Sequence, residues 1–219
     1  MPLLLFFGLA YWSCEGEEEP EQSDTQEEGP IPIELPDCPS LENINEENLC
    51  IADDGTDGVK ILDQCYSIEN TTEINGPFSD APSGNIPKEI GLLTNLIRLN
   101  LNNRWGNTKF TGEIPTEICN LTNLVYLSLS YNELTGSIPP EIGHLTNLLF
   151  LLIGRTEITG EIPSTIGNLV DLRSLLFSFN NLSGTIPREI GNLPNCTFWT
   201  CIIMNLQAHY HPISEICKI

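Results

Sequence analysis

Apolar residues recur along the middle of the chain with a nearly constant period. The dipeptide Ile-Pro begins at residues 86, 114, 138, 162 and 186, so the steps are 28, 24, 24 and 24 residues. Within one period, Leu124, Leu127 and Leu129 have the spacing of a short strand that buries one face. A single unit of this kind cannot close its own core, so the pattern predicts coils that are stable only when stacked.

Three complete units follow one another without a gap. They are LVYLSLSYNELTGSIPPEIGHLTN, LLFLLIGRTEITGEIPSTIGNLVD and LRSLLFSFNNLSGTIPREIGNLPN, over residues 124–147, 148–171 and 172–195. An earlier unit over 96–123 carries four extra residues near RWGN, and the partial unit SGNIPKEIGLLTN precedes it. Asn132 and Asn180 stand where a side-chain amide can satisfy backbone groups at the turn that leaves the strand.

These units resemble the plant-type leucine-rich repeat, LxxLxLxxNxLxGxIPxxIGxLxx, between Ser83 and Asn195. The resemblance implies an α/β repeat fold. This fold is a right-handed solenoid with a short parallel β-sheet on the concave face and 3-10 or irregular segments on the convex side. Bacterial surface proteins use the same repeat subtype, so the resemblance does not fix the organism. A repeat array needs a cap over its first core edge, and residues 37–82 are assigned as that N-terminal cap.

Three cysteines, Cys38, Cys50 and Cys65, fall in the predicted cap. Cysteines in such caps are commonly paired in leucine-rich repeat proteins, and from this resemblance we predict a Cys50–Cys65 disulfide, although three cysteines leave the pairing open. The stretch DGVKILDQCYS predicts a short helix or turn before a first strand near residues 72–74. Cys119 stands where the following units have glycine, and we expect a free small residue on the convex side.

The N-terminal residues change character at Cys14. Residues 1–13 are mostly apolar and too short to span a bilayer, which predicts an export signal. The segment EGEEEPEQSDTQEEGP then holds eight acidic residues, so residues 14–36 are expected to be an acidic disordered tether. This order resembles a bacterial lipoprotein, with Cys14 lipidated and the protein held at the cell surface or outer membrane. Simple secretion is the alternative.

The repeat stops after Asn195, where Cys-Thr-Phe-Trp replaces the expected leucine. A shift of reading frame at the Asn195 codon permits a further complete repeat in phase. We therefore interpret residues 196–219 as an out-of-frame translation of that repeat; the alternative is a genuine cap with its own cysteines. The cysteines and histidines of this tail are accordingly not combined into a metal site, and neither a metal nor a cofactor is predicted.

The charge balance excludes several classes of partner. The formal charge is −21, from 30 acidic and 9 basic residues. Nucleic acid is excluded because its phosphates require lysine and arginine. An anionic membrane surface is disfavoured for the same reason, so we expect membrane contact only through a lipid anchor. Eight cysteines favour an oxidising compartment.

Candidate ligand-binding residues face away from the predicted core at each strand and at the turn after it. They are Tyr126, Tyr131, Glu133, Phe150, Arg155, Glu157, Phe179 and Asn181, with Arg104 and Trp105 of the insertion as a second spot. Tyr131, Arg155 and Phe179 share one repeat position, so strands about 4.8 Å apart would bring them into a row. Exposed aromatic residues and arginine anchor protein interfaces. The alternative is that they only satisfy strand preference.

The predicted function is that of a non-catalytic binding module. We expect a monomer whose concave face recognises a protein or peptide, or a surface polysaccharide. A structural surface spacer is one alternative. An enzyme is another, because Glu133 and Glu157 are one repeat apart and paired carboxylates can hydrolyse glycosides. Two acids on the rim of an acidic protein are more often solvated, so no catalytic residue is predicted.

Overall fold

The computed structural model describes residues 33–41, 44–76 and 83–194. A cap is followed by stacked coils, and each coil contains a short strand and then a 3-10 helix. The cap elements are η1 (Glu46–Asn48), β1 (Leu49–Ile51), β2 (Asp57–Ile61) and β3 (Gln64–Ser67). The repeat elements are β4 (Glu73–Asn75), β5 (Gly84–Asn85), η2 (Lys88–Leu92), β6 (Arg98–Asn100), β7 (Phe110–Glu113), η3 (Thr116–Asn120), β8 (Tyr126–Ser128), β9 (Glu133–Thr135), η4 (Pro140–His144), β10 (Phe150–Leu152), η5 (Ser164–Asn168), β11 (Ser174–Leu176) and η6 (Arg188–Asn192).

A five-stranded parallel sheet runs through the coils in the order β11-β10-β8-β6-β4. The register aligns the central residues of four strands, Leu99, Leu127, Leu151 and Leu175. All four side chains are buried in one continuous core, because every second residue of a strand faces the same side. The predicted leucine-rich repeat solenoid with a parallel sheet is therefore confirmed.

A second, three-stranded parallel sheet has the order β5-β7-β9 and forms after the turn that leaves the first sheet. Gly136 at the end of this segment has a φ of 73°, a left-handed conformation that glycine adopts without steric cost. Pro139 then precedes η4, and Ile142 of that helix is buried. All helical segments in the described part of the chain are 3-10 helices, as predicted for the convex side.

Asparagine side chains tie each coil to the one before it. The Nδ2 of Asn132 donates to the carbonyl of Leu101 at 2.9 Å and to that of Leu129 at 2.8 Å. Its Oδ1 accepts from the backbone N–H of Phe110 at 3.1 Å. Asn180 repeats the arrangement two coils later, with Nδ2 donating to the carbonyl of Ile153 at 2.6 Å. The predicted role of both amides is therefore confirmed.

The cap is an antiparallel sheet, β1-β2-β3, so the predicted alternative of a short helix is wrong; the alternative of a turn is found at residues 62–63 and 68–70. Val59 and Ile61 are buried while Lys60 between them is exposed, which is the alternation of a strand. Leu62 has a φ of 54° in the turn that reverses the chain and brings β3 beside β2. The predicted first repeat strand near residues 72–74 corresponds to β4.

Glu89 attaches the cap to the first complete coil. Its side chain is buried, and its two carboxylate oxygens accept from the backbone N–H of Asn45 at 2.6 Å and from Nδ2 of Asn48 at 2.9 Å. A buried carboxylate is stable only when its oxygens are hydrogen-bonded. These two bonds therefore hold the loop around η1 against η2.

Two disulfides close the N-terminal part of the chain. The predicted Cys50–Cys65 disulfide is confirmed, with Cα atoms 6.1 Å apart. The prediction that Cys119 is a free residue is wrong, because Cys119 pairs with Cys38 across 81 residues, with Cα atoms 5.9 Å apart. Pairing over this distance requires residues 33–41 to lie against the 3-10 helices.

We call residues 33–41 the N-terminal strap. Besides the disulfide to η3, the carbonyl of Pro36 lies 2.7 Å from Nε2 of His144 at the end of η4. Gly143 leaves room for the strap, since a Cβ there would lie 2.6 Å from Cδ2 of Leu35. The strap therefore crosses η3 and η4 and connects two successive coils on their outer side.

Several sequence-based predictions fall on residues that the structure does not describe. The export signal, the lipidation of Cys14 and most of the acidic tether lie outside the described residues, as does the out-of-frame interpretation of residues 196–219. Among the described residues, no helix has the length and apolar character needed to cross a membrane.

Candidate functional site

The first residues of the strands form one row on the outward face of the five-stranded sheet. The register places Arg98, Tyr126 and Phe150 side by side. The Cζ of Arg98 lies 3.7 Å from the ring centroid of Tyr126, and the rings of Tyr126 and Phe150 have centroids 5.7 Å apart. We call these three residues the strand row. In a leucine-rich repeat coil this face is the concave one.

A second row follows the edge at which the strands end. Tyr131, Arg155 and Phe179 occupy the same position of successive coils, as predicted, and have left-handed φ angles of 63°, 57° and 59°. Left-handed backbone is unfavourable for residues other than glycine. Each of these residues comes directly before the buried side chain that ties the coils together, at positions 132, 156 and 180. The turn thus sends one side chain inward and its predecessor outward.

The insertion joins this second row rather than forming a separate spot. The Cζ of Arg155 lies 5.4 Å from the ring centroid of Tyr131 and 4.1 Å from that of Phe179. On the other side of Tyr131, the Cζ of Arg104 lies 5.5 Å from the same ring and 4.7 Å from the ring of Trp105. The result is an alternating stack of aromatic rings and guanidinium groups. We call these five residues the edge row.

Lys109 holds the insertion against the next coil. Its Nζ donates to the carbonyls of Asn103 and Tyr131, each at 3.0 Å. The side chain of Asn103 is fully buried, and both its amide atoms are without a hydrogen-bond partner in the described structure. Buried amides of this kind normally bind an ordered water.

The side chains of the edge row are accessible. Trp105 is 81% exposed and Phe179 is 51% exposed, and Arg104 and Arg155 are also exposed. A row of aromatic rings that projects from a stacked core is more than single scattered apolar residues, and continuous exposed patches of this kind mark contact surfaces. Cation–π stacking at such sites contributes about 0.5–1 kcal/mol per pair, which orders the row before any ligand is present.

Among the described residues, the arginines of the two rows have no carboxylate partner. Among the described residues the salt bridge found is between Arg188 and Glu189, on η6. No carboxylate oxygen of a described residue lies within 4.0 Å of the guanidinium groups of Arg98, Arg104 or Arg155. Within the described part of the chain, the side chain of Arg98 donates through Nε to Oδ1 of Asn75, at 3.0 Å.

Glu133, Glu157 and Asn181 lie beside the edge row but outside the five-stranded sheet. Glu133 begins β9 of the three-stranded sheet, and all three side chains are exposed. Within the described structure, no side-chain hydrogen bond orients either carboxylate. Both carboxylates are therefore solvated on the rim of the coils, as two acids of an acidic protein usually are.

Sequence reasoning missed an open groove of about 730 Å³ along the edge at which the strands begin. Its polar wall consists of asparagines whose amides donate to the preceding coil, as Asn123 does to the carbonyl of Thr94 at 2.9 Å. Its apolar wall is built from Ile97, Val125 and Leu149. The repeated pair of Asn and, two residues later, an aliphatic residue was the signal for this groove in the sequence.

Among the described residues, no group of three or more His, Cys, Asp or Glu side chains is placed to hold a metal ion.

The Leucine Rich Repeat family model matches residues 123–145 and 171–193. The chain is similar to the plant peptide hormone receptor RGFR1 in complex with RGF2, with 35% identity, coverage of 58% of this chain and 20% of that one, and a TM-score of 0.53. A TDR receptor is 39% identical over 52% of this chain and 19% of its own, with a TM-score of 0.50. No match was found among curated proteins.

The LRR ectodomain of the plant membrane receptor kinase GASSHO1/SCHENGEN3 from Arabidopsis thaliana, in complex with CASPARIAN STRIP INTEGRITY FACTOR 2, is 42% identical over 52% of this chain and 13% of its own, with a TM-score of 0.49. The chain thus spans a fifth or less of the length of these three receptors. It contains leucine-rich repeats of the plant type. These relatives give no support to a bacterial lipoprotein origin.

Proposed function

We propose that the chain is a non-catalytic binding module whose edge row and strand row together capture a peptide or an extended segment of another protein. The observation that carries this proposal is the edge row. Five side chains from the insertion and three successive coils meet in one exposed aromatic and arginine stack. Tyrosine, tryptophan and arginine are the residue types that dominate binding energy at protein interfaces.

The geometry favours an extended ligand. The edge row and the strand row are both repeated from coil to coil, so contacts of the same kind recur along the array. A rigid stacked scaffold keeps these contacts in place before the ligand arrives, which lowers the entropic cost of binding. The similarity to RGFR1, a plant peptide hormone receptor solved in complex with RGF2, supports a peptide as ligand.

Export of the protein is part of this proposal. Two disulfides are typical of a protein that folds in an oxidising compartment. We propose a monomer, since the rows need only one chain. A lipid anchor on Cys14 rests on the sequence alone. A surface glycan is the second candidate ligand, because the exposed rings of Trp105 and Phe179 offer flat apolar faces to a sugar ring.

The test is a selection of short random peptides displayed on phage against the immobilised full chain. The variant Tyr131→Ala/Arg155→Ala/Phe179→Ala removes three members of the edge row, and Ser164→Ala/Arg188→Ala changes exposed residues on η5 and η6. We expect selected peptides to bind the triple variant at least about 10-fold more weakly and the control variant unchanged. Equal binding to all three proteins would exclude the edge row as the site.

A further inference from the structure

We propose that the ligand is acidic, and that its Asp or Glu carboxylates bind the guanidinium groups of Arg98, Arg104 and Arg155. This inference rests on the proposed function and adds the chemical class of the ligand. It starts from the distribution of charge. The chain has 30 acidic and only 9 basic residues, yet three of the nine basic residues stand in the two rows.

Each of these arginines is stacked on an aromatic ring rather than paired with an acid. Arg98 lies over Tyr126, and Arg104 and Arg155 lie over the same ring, that of Tyr131. With so many carboxylates in the chain, surface arginines would be expected to find acidic neighbours. Within the described structure these three have none within 4.0 Å. Three positive charges are therefore held in place without an acidic partner among the described residues.

Stacking also leaves the donors of these arginines available, apart from Nε of Arg98, which donates to Asn75. A guanidinium group is planar, and its five N–H donors point outward in that plane. A ring that covers the face of the group does not occupy those donors. Arg155, which lies near the rings of both Tyr131 and Phe179, thus keeps its N–H edge for an acceptor. The acceptor that matches this edge with two parallel hydrogen bonds is a carboxylate.

The acids nearest to the rows do not fill this role. Glu73 is aligned with Arg98 in the sheet register but forms no ion pair with it. Glu133 and Glu157 are exposed on the other side of the turn. Their negative charges lie along the border of the edge row and repel a carboxylate. A carboxylate ligand is therefore attracted only to the arginines themselves.

The net charge of the protein further restricts where an acidic peptide can bind. At −21, most of the protein surface repels an acidic peptide, so the rows are the place at which such a peptide can remain bound. The same repulsion disfavours a long polyanion, which would extend beyond the three arginines onto acidic surface. The apolar side chains in the coil of Arg155 and in the next coil, Phe150, Leu152 and Phe179, instead suit a peptide that alternates acidic and apolar residues.

The experiment compares peptides selected from a random display library on the full chain with those selected on Arg98→Gln/Arg104→Gln/Arg155→Gln. These substitutions remove the charges and keep the rings of Tyr131 and Phe179. The matched control is Arg188→Gln, an exposed arginine on η6. We expect the unmodified chain and the control to enrich Asp and Glu, and the triple variant to lose this enrichment while still selecting aromatic and apolar residues.

A synthetic peptide from the enriched pool then tests each arginine. Arg155→Gln should weaken its binding by about 10-fold or more, and the Glu→Gln form of the peptide should bind both proteins equally weakly. The inference would be overturned if the peptides enriched on the unmodified chain contained no excess of Asp and Glu, or if the arginine triple variant enriched the same peptides. Either result would leave the proposed function standing. If no selected peptide is sensitive to Tyr131 and Phe179, the proposed function itself fails.

An oligogalacturonate probe separates the two classes of acidic ligand. We expect this acidic sugar to bind the full chain no better than it binds the arginine triple variant. Binding of the oligogalacturonate that requires the three arginines, with no acidic peptide recovered, would overturn the assignment of a peptide ligand in favour of a glycan.

Discussion

The guanidinium group of Arg155 lies over the ring of Phe179, with its Cζ 4.1 Å from the ring centroid. The two residues are 24 positions apart and meet because they occupy the same place in adjacent coils. Both residues have a left-handed backbone, and no insertion interrupts the repeat between them. The edge row is therefore a direct product of the period, because the stacking that builds the core also stacks the side chains outside it.

The left-handed backbone at the edge row leads to a stability prediction. A β-branched residue is poorly tolerated at positive φ, so Tyr131→Val should lower the free energy of unfolding by about 1–2 kcal/mol more than Tyr131→Gly does. Tyr126→Val serves as the control, because Tyr126 lies in the strand β8 of the same coil. This substitution should lower the free energy of unfolding by less than Tyr131→Val does. Urea unfolding measures all three variants. Equal stability of Tyr131→Val and Tyr131→Gly would contradict the left-handed turn.

The strap predicts that Cys119 contributes to stability. Cys119→Gly restores the residue found at the same position of the following coils and removes the disulfide to Cys38. With a sequence separation of 81 between the two cysteines, the chain-entropy model gives a loss of about 4.5 kcal/mol. Guanidinium unfolding without reductant measures the loss.

The second disulfide is the comparison for this experiment. Cys50→Ser/Cys65→Ser opens a loop of 15 residues, for which the same model gives about 3 kcal/mol. A reducing agent should abolish the difference between the unmodified chain and Cys119→Gly. If Cys119→Gly is as stable as the unmodified chain under oxidising conditions, the disulfide between the strap and η3 does not stabilise the fold.

Asn180 allows a test of the ties between coils. Asn180→Ala leaves the carbonyls of Ile153 and Phe177 and the hydroxyl and N–H of Thr156 without their partner in a buried site. Buried polar groups that lose a partner cost about 1–3 kcal/mol each, and with partial relaxation we expect a total loss of about 3 kcal/mol. Thermal unfolding should show this loss. Asn181→Ala, at the exposed neighbouring position, should change stability by less than about 0.5 kcal/mol.

Asp54 gives the cap a dependence on pH. Hydrogen bonds from Thr56 and Asn70 lower the pKa of Asp54 from 3.8 to about 2. Because the folded pKa is depressed, this carboxylate stabilises the fold above pH 4 and the contribution is lost as the pH falls towards 2. Asp54→Asn should therefore be less stable than the unmodified chain at pH 7, and the difference should vanish near pH 2. A difference that is independent of pH would show that Asp54 acts without its charge.

The repeat itself could be predicted from the sequence because its signal is local and periodic. Leu127 and Leu151 enter the core at the predicted spacing, and Asn132 bonds the backbone where the turn required it. The phase of the repeat also placed Tyr131 and Arg155 in one row. Each of these features depends only on residues within one coil, or on residues separated by one 24-residue period.

The features that were missed depend on contacts between distant parts of the chain. The partner of Cys119 lies 81 residues away, in a segment without a repeat pattern, and only the exchange of glycine for cysteine indicated it. The cap strands β2 and β3 are specified by pairing with each other across the turn at Leu62. The stack of Arg104 on Tyr131 depends on how the four-residue insertion folds back, which no period determines.

Backbone hydrogen exchange, measured on the full chain with and without a selected peptide, shows directly whether the two rows hold the ligand. We expect the peptide to slow exchange in the strands β6, β8 and β10 and in the turns that carry Tyr131, Arg155 and Phe179, and to leave exchange in η3 to η6 unchanged. Protection confined to the 3-10 helices, with the strands and turns unaffected, would contradict this expectation.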